Sequence, residues 1–395
     1  MSGRREVWIT GVGLLTCLGE GVEANWSHLQ RGDPPPYDDK SFAPYIVHPL
    51  PPVNFDKQIP KKSDQRQMEQ WQRIGVYAAG LALADAGIAG KPDLLDVTDM
   101  IVAAAGGERD VVADAAILTG MRKTAERGTF LNERLMSDLR PTLFLAQLPN
   151  LLAGNISIVH GVVGSSRTFL GEEAAGVDAV RIAQARIAAG QSELTLVGGA
   201  YHATRWDVLL VFEQSGVALK GAFAPVWDRG PQGGIALGNM GAFLVLESRE
   251  HAQARGARAR GRISSVASDR NKRQKGDIEA TLLRQWNAIA GRIDRPQAAV
   301  ISGAAGLQPA TGAEHATLKE IGLPVRNTGT YIGHGVEAQF VANLGIATAV
   351  LEHGTLFAPA GTGDIGSSPA DISQVLVTSV GNWRGEALAL VERVV

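Results

Sequence analysis

Residues 164–200, GSSRTFLGEEAAGVDAVRIAQARIAAGQSELTLVGGA, decide the fold. Residues 166–170 read as an extended strand. Gly171, Glu172 and Glu173 turn the corner. Residues 174–189 then carry apolar side chains at helical spacing: Val177, Val180, Ile182, Ala183 and Ile187. Gly190 stops that helix as a C-terminal glycine does. Residues 194–197 are a short apolar run before two glycines, as in a buried strand. A turn into a helix N-terminus is where α/β enzymes place nucleophiles, because the helix dipole favours an anion there. This turn offers Glu173 rather than serine or cysteine.

The surrounding composition narrows the class. The chain has 395 residues, enough for two domains or one large double domain. Apolar residues make up 45% and charged residues 20%, which argues against extensive disorder. A net charge of -2 gives no bulk attraction for nucleic acid or a membrane surface. No apolar run approaches the roughly 20 residues of a transmembrane helix. The first residues run straight into an apolar strand, so no signal peptide is read, and a cytoplasmic location is expected. The single cysteine, Cys17, excludes an intramolecular disulfide and a cysteine-rich metal site. It reads as a small packed residue.

Outward from the opening stretch, strand and helix patterns alternate. Residues 7–10 read as a strand, and Gly11-Val12-Gly13 as a tight strand-to-helix turn. A dinucleotide fingerprint would need a third glycine where Thr16 stands. Residues 31–60 are rich in proline and read as an ordered irregular loop. Residues 68–86 are helical, 99–105 a strand, and 110–140 polar and helical. Residues 141–153 are a further helix, and 155–160 a strand. Later strands fall at 241–247, 262–268, 298–302, 324–327, 375–379 and 387–391. Helices fall at 278–293, 312–321 and 335–351. The alternation gives the α/β class. Two pseudo-repeated halves are expected, residues 1–250 with inserted loops and 251–395.

Several short motifs, in this order and spacing, resemble the beta-ketoacyl-ACP synthase II family of condensing enzymes. They are residues 7–13 (VWITGVG), 61–68 (KKSDQRQM), 190–200 and 225–238. Residues 244–247 (LVLE), 250–252, 255–256 and 332–334 (IGH) complete the set. The resemblance covers nearly the whole chain. It implies a thiolase-like fold in five layers, αβαβα, a dimer, and acyl carrier protein as partner. It implies a decarboxylative Claisen condensation without a cofactor. A cysteine thiolate holds the acyl chain as a thioester. Two histidines stabilise the enolate oxygen, a lysine supports one of them, and a Gly-Phe-Gly-Gly loop completes the oxyanion hole.

Carried onto this chain, that pattern fails at most positions. The nucleophile falls on Glu173. The first histidine falls on Ala304, the lysine on Gly329, and the glycine-rich loop on Gly381, Asn382, Trp383 and Arg384. Only His334 matches. No histidine lies within residues 302–309 and no lysine within 326–334, so a one-residue slip rescues neither. For Glu172 and Glu173 a plain reading is a helix start with Arg167 as ion partner. For His334 it is a structural place at the start of its helix.

Three functions compete. The first is a non-condensing subunit resembling chain-length factors of fatty-acid or polyketide synthesis, paired with an active ketosynthase as a heterodimer. A homodimer is the other assembly. Ile117, Leu118, Met121, Phe130 and Leu131 would then gate the acyl tunnel, and Lys61, Lys62 and Arg66 would dock the carrier protein. The second is a malonyl- or acyl-carrier decarboxylase or thioesterase using Glu173 and His334. The third is an active 3-oxoacyl synthase.

Overall fold

The computed structural model describes residues 4–139 and 141–394. Ten strands carry the frame. They are β1 (Val7–Thr16), β2 (Asp99–Ala104), β3 (Ser166–Leu170), β4 (Leu194–Tyr201) and β5 (Met240–Ser248), then β6 (Gly261–Asp269), β7 (Ala298–Ser302), β8 (Val325–Asn327), β9 (Gln374–Val380) and β10 (Glu386–Glu392). The first five lie in the order β3-β2-β4-β5-β1. The second five repeat it as β8-β7-β9-β10-β6. The strand senses repeat too. β2 runs parallel to β3 and β4, and β7 parallel to β8 and β9; the remaining neighbours in each half are antiparallel. The halves join where Trp8 and Ile9 of β1 pair with Arg262 and Gly261 of β6. We propose the division near residue 250, between β5 and β6, as the boundary of the two halves.

The helices that position the site are α1 (Gln70–Asp85), α2 (Val111–Met121), α3 (Arg127–Asp138), α4 (Leu151–His160), α5 (Glu173–Ala188), α6 (Asp277–Asn287), α7 (Ala310–Ile321) and α8 (Gln339–His353). The helices α5 and α8 pack against each other and on strands of both halves, which makes them the middle layer. The helix α8 is buried from Gln339 through Leu351, as a helix apolar on all sides must be. On the outside, α1 covers β1, β4 and β5, while α6 and α7 cover β9 and β10. This is the five-layer thiolase-like arrangement.

Two local readings are corrected by packing. Gly11 and Gly13 do not turn the chain; β1 runs through both. A Cβ at Gly13 would stand 2.0 Å from the Ala78 carbonyl oxygen, and one at Gly11 2.3 Å from that of Ala82. These glycines let α1 rest its backbone on the strand. Residues 155–160 are the end of helix α4, not a strand. The β-branched Ile156, Ile158 and Val159 favour a strand locally. Leu152, Ala153 and Ile156 nevertheless fall on one helical face and bury against α1, and Gly161 at φ 76° ends the helix. Burying Leu152 and Ile156 contributes about 2 kcal/mol each, which overrides the local preference.

Candidate functional site

The corner between β3 and α5 delivers Glu173. Gly171, at φ 141°, makes the turn. Glu173 stands in the first turn of α5, where the unpaired N–H groups favour a carboxylate. Its side chain points inward and is 3% exposed. Oε1 accepts hydrogen bonds from His334 Nε2 at 2.9 Å and Asn382 Nδ2 at 2.5 Å, with the Asn382 backbone N–H at 3.4 Å. Oε2 is buried without a partner. Burial pushes this carboxyl up, but the hydrogen bond and charge of His334, with its own N–H and that of Asn382, hold it below the ordinary value. Glu173 is thus ionised against His334. Glu172 instead reaches the surface and pairs with Arg384 at 3.1 Å, so Arg384 takes the place expected for Arg167. The extended β3 strand holds Arg167 exposed, one turn removed from α5.

His334 arrives from the other half of the fold. The short helix Gly329–Ile332 ends at Gly333, whose φ of 67° reverses the chain. The His334 N–H then donates to Ala236 O at 2.8 Å, and its carbonyl accepts from Gly238 N at 3.0 Å. His334 lies ahead of α8 rather than in it, and its ring is 2% exposed.

The two further positions to which the resemblance pointed carry no polar side chain. Ala304 follows β7, and a Cβ on Gly329 would lie 2.9 Å from the Ala304 oxygen. Asn327 ties the two loops, donating to Ala304 O at 2.9 Å and accepting from Thr330 N at 3.0 Å. Behind them Thr328 donates to Asn343 at 2.6 Å, and Gln339 donates to Thr328 at 3.2 Å. A neutral amide and hydroxyl network fills the space. Gly381 abuts Glu173: a Cβ there would be 3.2 Å from Oε2. The structure therefore brings Glu173, His334, Gly381 and Asn382 together, and Ala304 with Gly329.

A cavity of about 590 Å³ opens next to this pair. Glu172, Tyr201, His202, Phe212, Glu337 and Trp383 are among its walls. Glu337 is the residue the sequence reading missed. It is 4% exposed, with Oε2 unpartnered. Burial, reinforced by the negative charges of Glu173 and Glu172, pushes its carboxyl up to about 8. One sequence signal pointed to it: between Arg326 and Glu352 it is the sole Asp, Glu, Lys or Arg. Glu108, His202 and Thr204, which form a hydrogen-bonded group nearby, were missed as well because they are distant or isolated in sequence.

The remaining candidates lie elsewhere. Lys61, Lys62 and Arg66 are exposed around the short helix Lys62–Gln67, with Lys62 paired to Asp56 at 2.5 Å. Ile117 of α2 is buried, Met121 is half-buried, and Phe130 of α3 packs over Gly120. Leu118 is 61% exposed, and Leu131 is half-buried. Cys17 is buried, its thiol donating to Tyr331 O at 3.2 Å, and burial raises its pKa far above the ordinary range. Among the described residues no cluster of three His, Cys, Asp or Glu is placed to hold a metal ion. No helix among them is long and apolar enough to cross a membrane.

Fold and site together define a thiolase-like protein with a carboxylate at the helix N-terminus of its central crevice. The family model for the beta-ketoacyl synthase N-terminal domain matches residues 4–252, and the chain belongs to the beta-ketoacyl synthase family. It is 27% identical over 266 residues to 3-oxoacyl-[acyl-carrier-protein] synthase 2 of Vibrio harveyi, a match covering 65% of this chain and 60% of that protein. The chain thus aligns with about three fifths of that relative's length. A beta-ketoacyl synthase from Burkholderia phymatum superposes with a TM-score of 0.80 at 20% identity, covering 99% of this chain and 100% of that one. The ishigamide ketosynthase/chain length factor does so with a TM-score of 0.80 at 20% identity and full coverage of both. At that identity the structures speak for the fold.

Proposed function

We propose that this protein is a non-condensing, chain-length-factor-like subunit of fatty-acid or polyketide synthesis that pairs with an active ketosynthase. The observation that carries this reading is Glu173, ionised, buried and held by His334 and Asn382 where the family keeps its nucleophile. A carboxylate cannot store an acyl chain as a thioester, and a mixed anhydride is too labile to hold one through condensation. Ala304 and Gly329 offer no side chain to an enolate oxygen. Of the enolate-stabilising pair only His334 stands, and its Nε2 is taken by Glu173.

A pairing face supports the reading. The strand β3 ends the sheet order and pairs, among the described residues, with β2 alone. Leu170 on β3 is strongly exposed, as are Val163 just ahead of the strand and Ile158 on α4, which packs against it. An open strand edge with exposed apolar neighbours fits an obligate partner chain. In that assembly Ile117, Met121 and Phe130 serve as tunnel gate, and Lys61, Lys62 and Arg66 receive an acidic carrier protein in the cytoplasm. The test is incubation of the purified chain with acyl carrier protein bearing a radiolabelled acyl group. No label is expected on the chain alone, and co-expression with the partner synthase should yield a stable heterodimer. A stable covalent adduct on this chain refutes the reading.

The 2.9 Å contact between His334 and Glu173 favours one second reading, hydrolysis of a carrier thioester with the pair activating water. Against it, the two side chains are 2% and 3% exposed, which leaves water little access. Release of free acid that disappears in Glu173→Gln would establish this activity.

A further inference from the structure

A second cleft, of about 440 Å³, shares His202 with the 590 Å³ cavity. Its walls include Leu50, Val53, Phe55, Gln70, Thr204 and Asn239. His202 and Thr204 line it, and Glu108 reaches it only through its bond to His202. The Glu108 carboxylate lies 2.8 Å from His202 Nδ1, and His202 Nε2 lies 3.0 Å from Thr204 Oγ1. All three come from ordered turns. Glu108 follows β2 and is held by the Trp71 N–H at 2.9 Å. His202 and Thr204 follow β4, where the Arg205 N–H closes a tight turn onto Ala203 O at 2.9 Å.

What each atom can donate or accept narrows the hydrogen-bond directions. Asn239 Oδ1 accepts the backbone N–H groups of Ala203 at 2.6 Å and Thr204 at 3.3 Å. Its Nδ2 therefore faces Thr204 Oγ1, at 3.0 Å, as a donor. The Glu108 carboxylate only accepts, so His202 Nδ1 carries a proton. In the tautomer with Nδ1 alone protonated, Nε2 is an acceptor. In that tautomer the Thr204 hydroxyl, accepting from Asn239, has its own hydrogen free to donate to His202 Nε2. A hydroxyl donating to an imidazole that is oriented by a carboxylate is the arrangement of an activated nucleophile.

We propose that Thr204, His202 and Glu108 form an acyl-transfer site separate from Glu173, acting on esters or thioesters of short apolar acyl groups. Thr204 Oγ1 attacks the carbonyl carbon while its proton passes to His202 Nε2. The C–O or C–S bond to the leaving group breaks, and His202 returns the proton to the departing alcohol or thiol. Water then attacks the acyl-threonine ester, giving its proton to His202 and releasing the acid, and Thr204 recovers its proton. The side-chain amides of Asn239 and Gln70, both in the cleft wall, are the N–H donors at hand for the oxyanion. Leu50, Val53 and Phe55 give the acyl group an apolar bed. Glu108 is a positioning residue, holding the imidazole in the tautomer the step requires.

The probe is p-nitrophenyl butyrate with the full chain. Release of p-nitrophenol above the buffer rate is expected, with a butyryl group found by mass spectrometry on the peptide containing Thr204. Thr204→Val should lower the rate at least about 100-fold, and Thr204→Ser should retain it. Glu108→Gln should lower kcat about 100-fold with KM held, which a merely structural role would not do. No hydrolysis by either wild type or Thr204→Ser overturns the proposal. So does hydrolysis that survives Thr204→Val, or that is lost on Glu173→Gln but not on Thr204→Val. The last result would place the chemistry at the buried pair instead.

Discussion

Replacing Glu337 by glutamine removes one titration and leaves the shape of the cavity wall unchanged. The carboxyl is buried, and its raised pKa of about 8 follows from desolvation and from the neighbouring Glu173 and Glu172. The sign follows from proton counting. Between the ordinary value of 4.5 and about 8, the folded chain holds a proton that the unfolded chain has released. Stability therefore falls as pH rises through that window, and levels off above it. For a shift from 4.5 to about 8, this one group costs about 1 kcal/mol at pH 5 and about 3 kcal/mol at pH 7. Glutamine, neutral at both, escapes the cost. The stability gained by Glu337→Gln should thus be about 2 kcal/mol larger at pH 7 than at pH 5. With an unfolding entropy of roughly 0.8 kcal/mol/K for a chain of this size, that is a Tm difference of about 2–3 °C. Melting wild type and variant side by side at both pH values measures it. Other buried carboxyls, Glu314 and Asp364 among them, are also raised. They act equally on both proteins and cancel in the difference. A gain that is equal at pH 5 and pH 7 would refute the reasoning, since it would mean that Glu337 enters the folded state as it leaves the unfolded one.

Three further outcomes are expected. Glu173→Ala leaves His334 and Asn382 facing an empty buried site and should destabilise the chain by about 1–3 kcal/mol, read by urea unfolding at pH 7. Gly13→Ala forces a Cβ to 2.0 Å from the Ala78 oxygen, so α1 must lift from β1; a large loss of soluble protein or a Tm lowered by several degrees is expected, whereas Gly128→Ala in α3, with open space around it and helical backbone, should cost far less. Cys17, buried and with its thiol pKa raised, should resist iodoacetamide in the folded chain and react only after denaturation, as counted by mass spectrometry.

Much of the fold was legible because its signals are local. The helix α5 carries apolar residues at helical spacing and a glycine just past its end, and the paired carboxyls at its start mark the corner. The identity of the residue at that corner, Glu173, was likewise plain in the chain, and with it the absence of a serine or cysteine there. The alternation of strand and helix sufficed for the α/β class, and the short motifs for the family.

Other features depend on what stands across from each residue in space. Gly11 and Gly13 read as a turn until α1 is laid on β1, because a glycine that permits close approach looks the same in sequence as one that bends the chain. Residues 155–160 favour a strand by β-branching, and only the face they bury against α1 makes them helical. Arg384, not Arg167, meets Glu172, since the loop after β9 closes over the start of α5 from 212 residues away. The bond from His334 to Glu173 spans 161 residues, and that from His202 to Glu108 spans 94. The sequence by itself determined which side chains the crevice could hold; the tertiary structure decided which of them are desolvated together, and desolvation is what sets their charge.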